Sequence, residues 1–190
     1  MSKRRLFEQL AALPASLIVT GSAGAPIGGD PLTLIADELR SVASRRGKVW
    51  LFGNGGSAAV ASHVANDIMK RWGIYASALC EAPTITAIAN DSGYALVYEH
   101  QLSMCLGPDD LAVAISSSGA SPNMIEAANV AMSRSRLLTL SGMAPDNPLR
   151  CLGHLNGYLP FEDYGAIEIG HLVILHECVW SSGSLGEYPS

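Results

Sequence analysis

Residues 49–72, VWLFGNGGSAAVASHVANDIMKRW, constrain the fold more than any other part of this 190-residue chain. An apolar run ends at Gly53-Asn54-Gly55-Gly56-Ser57, and an Ala-rich stretch with polar residues at helical spacing follows. That order predicts a strand, a tight turn and a helix. Glycines let backbone approach a ligand closely, and the amides of a first helical turn lack partners within the helix. Gly55, Gly56 and Ser57 can therefore offer N–H groups and a hydroxyl to an anion. Further along, His63 and Asp67 are four residues apart and share a helix face. A titratable or metal-binding pair beside an anion clamp is more than a binding loop needs.

A second unit of the same kind follows. Residues 110–115 carry the cleanest strand signal, the continuous apolar run LAVAI between polar ends, of the sort covered on both faces. They run into Ser116-Ser117-Ser118-Gly119-Ala120-Ser121, then Pro122 and a helical stretch to Arg134. Hydroxyls around a glycine, with a helix start behind them, make a phosphate cradle without a cationic side chain. Blander assignments compete. The first loop also fits a loose dinucleotide fingerprint at Gly53, Gly55 and Ala58, with Glu81 as the ribose-binding acid, but that motif leaves the serine loop unexplained. A serine-rich linker would not sit between a buried strand and a Pro-started helix.

Around these units, Asp30-Pro31 opens a helix closed by Arg45-Arg46-Gly47. Strands are expected at 75–80, 137–140 and 155–159, and helices at 94–106 and 167–180; residues 83–91 carry no decisive period, and 143–153 and 181–190 read as loop and frayed tail. Alternating strands and helices predict an α/β fold, a three-layer doubly wound parallel sheet flanked by helices, with ligands beyond the carboxyl ends of the strands. The expected organisation is one domain, 1–190: N-terminal helices at 1–46, an α/β core at 47–182 and a tail at 183–190.

Composition narrows the partners. With 48% hydrophobic and 15% charged residues and a net charge of −5, the chain is neither disordered nor basic, and no nucleic-acid partner is expected. No apolar run has the length of a membrane span. Lys3-Arg4-Arg5, a Leu/Ala-rich run and Ala23-Gly24-Ala25 sketch a signal peptide, but Glu8 and Gln9 interrupt it. Residues 10–19 read equally as an amphipathic helix against a partner subunit, with residues 20–29 as a loop. The four cysteines show no C-x-x-C pair and mostly fall in apolar context, which predicts buried reduced thiols and a cytoplasmic protein.

The C-terminal helix supplies the second half of the candidate site. At about 100° per residue, His171 falls roughly 60° to one side of Glu168 and His176 roughly 80° to the other, so Glu168 and His176 can face one cleft two turns apart. Polar groups in so apolar a helix cost free energy unless paired. With His63 and Asp67 they form a set of two histidines and two carboxylates, suited to a divalent ion such as zinc or to acid/base chemistry. Histidines bonded only to neighbouring chain are the plainer alternative.

Taken together, G-N-G-G-S followed by His63, Ala-Ile-Ala-Asn90-Asp91, the strand entering I-S-S-S-G-A-S-P-N, and the final helix with His171 and His176 resemble the sugar isomerase (SIS) family, most closely its phosphoheptose isomerase branch. The resemblance implies a flavodoxin-like SIS fold, N-terminal helices that serve oligomerisation, and a homotetramer with sites at subunit interfaces. It implies a phosphorylated sugar substrate, held by Asn54, Gly55, Gly56, Ser57, Asn90, Asp91, Ser116, Ser117, Ser118 and Ser121. It also implies catalysis by Asp67, His176 and Glu168, and one zinc per site on His63, Asp67, Glu168 and His176. This chain departs from the family pattern at three positions: Asp67 replaces a glutamate, Glu168 a glutamine and Gly165 an aspartate. The expected reaction is aldose–ketose isomerisation through a cis-enediol. The alternative is a non-catalytic SIS protein that binds a phosphosugar or, like a replication-initiator-associating relative, a protein partner.

Overall fold

A computed structural model describes residues 5–181 and Gly183; the basic start at Lys3-Arg4 and nearly all of the tail expected to fray lie outside them. Five strands run parallel: β2 (Val49–Gly53), β3 (Ala76–Ala78), β4 (Leu111–Ser116), β5 (Arg136–Gly142) and β6 (Leu155–Leu159). The strand β1 (Ile18–Gly21) closes one edge antiparallel to β6, and the sheet order is β1-β6-β5-β4-β2-β3.

Both faces of the sheet are covered, and the central strands divide their side chains between them with period two. Val49, Leu51, Leu111, Val113 and Ile115 enter a core built with α3 (Pro31–Arg45), α4 (Gly56–Trp72) and α8 (Tyr164–Ser181). Trp50, Phe52, Ala112 and Ala114 face the opposite way, toward α6 (Val97–Cys105) and α7 (Pro122–Arg134). On the first face α1 (Arg5–Ala11) and α2 (Leu13–Ser16) lie by α8, with Leu13 and Leu17 buried in the same core. Asp30 caps α3 through a hydrogen bond from the Thr33 amide at 2.9 Å, as the Asp-Pro start predicts.

Three local expectations change. The helix expected over 10–19 stops at Ser16, and Ile18–Gly21 is a strand, because the edge of β6 offers it a ladder that no local pattern reveals. Residues 83–91 belong to a helix, α5 (Ala82–Ser92), which carries a proline in its first turn and buries no residue fully. Of the cysteines only Cys178 is buried, where desolvation pushes its thiol up to about 12; Cys151 is exposed and none of the four is in a disulfide.

The chain leaves β2 toward the β3 edge and returns through β4 toward the other edge. The crevice between β2 and β4 is therefore the point where strand order reverses. Ligands bind at such a point, beyond the strand ends. Both glycine/serine loops emerge there, side by side, since Gly53 pairs with Ile115 in register.

Candidate functional site

The serine cavity is assembled from two helix starts. Gly55 takes φ +56°, which only glycine adopts without strain, and turns the chain from β2 into α4. On the other loop Ser121 precedes α7 without spending its hydroxyl on the cap. Asn54, Ser57, Ser116, Ser117, Ser118, Ser121, Tyr164 and Glu168 line a cavity of about 100 Å³. Neither lysine nor arginine is among these described residues, so the field favouring an anion comes from hydroxyls and the positive ends of two helix dipoles. Ser117 Oγ is buried there without a partner among the described residues, an acceptor and donor poised for a ligand.

A polar clasp ties the two loops together. Asn54 Nδ2 donates to Asn123 Oδ1 at 3.0 Å, and Asn123 Nδ2 returns a bond to Asn54 Oδ1 at 2.8 Å. The Tyr94 hydroxyl donates to the same Asn54 oxygen at 3.1 Å. Tyr98 bonds the Gly53 carbonyl, and burial pushes its phenol well above the ordinary value. Asn54 is thus both cavity wall and anchor, a double role its place in the motif does not disclose. Asn90 and Asp91 are not brought into the cavity: they stand exposed at the end of α5, bonded to each other at 2.8 Å, four and three residues before Tyr94.

The second cluster lies where α4 packs on α8. Asp67, its side chain only 7% exposed, lies with Oδ2 3.1 Å from His63 Nε2 and 3.0 Å from His176 Nδ1. Both imidazoles are half exposed, so the three donors converge at the surface end of a buried carboxylate. In a tetrahedral zinc site with bonds of about 2.0–2.1 Å, ligand atoms lie about 3.3 Å apart. The two Asp67–histidine distances approach that spacing and all three ligand atoms lie within 4.8 Å of one another; three protein ligands with an open fourth position is the usual catalytic arrangement.

Glu168 joins the two clusters without entering the triad. Its carboxylate lies against Gly56 at the start of α4, where a Cβ would collide with it. It lines the serine cavity and also an adjoining groove of about 360 Å³ that holds His63. His171 stands apart. It is fully buried, bonded through Nε2 to the Ser141 carbonyl at 3.2 Å, and burial pushes its imidazole down to about 4. Tyr164 and Asn123 were not among the expected site residues. A polar ring four residues before Glu168, on the same face, and the amide closing Ser-Pro-Asn were the signals for them.

Known proteins carry the same combination. A model of the SIS domain matches residues 29–136. The phosphoheptose isomerase of Paramagnetospirillum magneticum is 31% identical over 90% of both chains. That of Burkholderia pseudomallei is 34% identical over 75% of both. The solved phosphoheptose isomerase of Neisseria gonorrhoeae superimposes with a TM-score of 0.70, at 31% identity, over 78% of this chain and 83% of its own. With a matching domain over more than half its length and relatives at this identity along most of the rest, the chain belongs to the SIS domain family, among the phosphoheptose isomerases.

Proposed function

We propose that this chain is an aldose–ketose isomerase that interconverts sedoheptulose 7-phosphate and D-glycero-D-manno-heptose 7-phosphate, or a closely related heptose or octose phosphate. One observation carries this: α4 has a hydroxyl-lined anion cavity at its start and, farther along, a buried carboxylate bonded to two histidines. Gly56 and Asp67 are separated by about 16 Å of helix axis, shortened by side chains that lean toward the helix start. A sugar phosphorylated at the end far from its carbonyl divides phosphate and reacting carbons between two groups in this way. A cavity of about 100 Å³ suits its phosphate, with the carbon chain running outward past Glu168.

In this mechanism Ser57, Ser116, Ser117, Ser118 and Ser121, with the amides at Gly55 and Gly56, hold the phosphate, and their binding energy orients the distant reacting carbons. Asp67 removes the C1 proton; the C–H electron pair becomes the C1=C2 bond, and the carbonyl oxygen takes a proton from His176. The cis-enediol then returns its O1 proton to His176 and takes a proton at C2 from Asp67, leaving an aldehyde at C1. Asp67 is favoured over Glu168 as the base because its helix begins at the phosphate loop and its carboxylate is oriented beside the proposed acid His176. Glu168 accepts hydrogen bonds from sugar hydroxyls and Asn54 forms the sugar-side wall, while Asn90 and Asp91, outside this cavity, would reach the sugar only across a subunit interface. One zinc per site would be held by His63, Asp67 and His176, with Glu168 beside them. Such an ion polarises a carbonyl and stabilises an enediolate.

The chain acts as one domain over residues 1–190, assembled as a homotetramer with interface sites. Ile169 and Val173, exposed on α8 near the cluster, are surface of the kind a subunit covers. No described helix is long and apolar enough to cross a membrane, and four cysteines outside any disulfide suit a cytoplasmic setting. Asp67→Asn tests the base. Isomerisation should fall by about 10²–10⁴ while sugar-phosphate binding stays measurable by calorimetry; unchanged turnover would remove Asp67 from the mechanism.

A further inference from the structure

The Asp67–His176 contact is one rung of a ladder between α4 and α8. One turn further along each helix, four residues after Asp67 and four after His176, stand Arg71 and Trp180. The Arg71 guanidinium lies over the Trp180 ring at 5.3 Å. Trp180 in turn stacks on His176, with ring centroids 5.6 Å apart and planes inclined by 26°. The His63 ring is 5.8 Å from His176 at 41°.

His176 needs such support. Its side chain is 49% exposed, so burial does not fix the ring, and the bond from Nδ1 to Asp67 tethers one atom about which the imidazole can pivot. A flat indole against the ring face removes that freedom. The guanidinium over the indole holds the indole, because the cation is attracted to its π face and bridges the two helices. Neither residue contributes a donor atom to the convergent set. We propose that Trp180, backed by Arg71, is a positioning residue that locks the His176 imidazole in its ligating and proton-transferring orientation. This rests on the proposal that His63, Asp67 and His176 hold a divalent ion.

The test is cobalt affinity, measured by competition with a chromophoric chelator, on the full chain and on Trp180→Phe, Trp180→Leu and Trp180→Ala. Loss of a group that orients a metal ligand weakens binding by about 10–100-fold. Trp180→Ala and Trp180→Leu are expected near the lower end of that range, and Trp180→Phe, which keeps a flat ring, close to the parent. The visible absorption of bound cobalt should change shape in the first two and not in the third. If Trp180→Ala loses its helical circular dichroism, the comparison of Phe with Leu decides. Equal affinity in parent, Leu and Ala variants overturns the positioning role and leaves the metal site standing. Equal losses in Phe and Leu also overturn it, because bulk alone would then matter. A parent chain that takes up no cobalt overturns the metal site and this role with it.

Discussion

His171 makes the stability of this protein depend on pH in a way the structure specifies. Its Nε2 must carry the hydrogen, because it bonds a carbonyl, that of Ser141. The lone pair on Nδ1 therefore faces the interior with no partner among the described residues. A second proton would add a buried charge and an N–H without an acceptor. Burial accordingly pushes the folded imidazole from the ordinary 6.5 to about 4. The unfolded chain takes up a proton as pH falls through 6.5, and the folded chain does so only near 4. The unfolded state binds more protons in that window, so the contribution is intact above 6.5 and lost as pH falls toward 4. The loss is about 2 kcal/mol between pH 7.5 and 5 and about 3 kcal/mol by pH 4. Guanidinium unfolding at fixed protein concentration across this range, on the parent and on His171→Gln, isolates the effect. Gln places an N–H where Nε2 stood and does not titrate. The parent should lose about 2 kcal/mol more than the variant between pH 7.5 and 5. Parallel curves would refute the buried neutral imidazole.

Other substitutions probe the cavity. Ser117→Ala removes a buried hydroxyl with no partner, so calorimetry with inorganic phosphate should show binding weakened by about 1–2 kcal/mol, while stability holds or rises; equal phosphate affinity would take Ser117 out of the cradle. Gly56→Ala puts a Cβ against the Glu168 carboxylate, the free end of a side chain that can swing away, so denaturant unfolding should change by no more than about 1 kcal/mol. Its effect should shift toward stabilisation when Glu168→Ala is added; strictly additive effects would contradict the contact.

Features readable from the sequence are those with a local physical cause. Residues 111–115 are apolar without interruption because both faces of β4 are covered, and that pattern marks a central strand wherever it occurs. The hydroxyls of the second loop all reach the cavity because strand, loop and helix follow one another within a few residues. Asp67, His63 and His176 meet because two helices present faces set by the helical period. What was not legible depends on distant partners. The strand Ile18–Gly21 forms because β6 needs an edge, and Asn156, far along the chain, bonds the Gly21 carbonyl at 2.9 Å. Glu168 and His176 share a helix, yet their separation of two turns takes one to the anion cavity and the other to the triad. Helical angle was legible there, and distance along the axis decided the outcome.

Proton NMR of sedoheptulose 7-phosphate in deuterated water, with purified and zinc-supplemented protein, tests enediol chemistry most directly. The mechanism predicts that a C1 proton signal fades as deuterium enters, while an aldose anomeric signal grows. A substrate that binds saturably yet shows neither change, with shorter and longer ketose phosphates equally inert, would contradict isomerisation and leave a phosphosugar-binding protein.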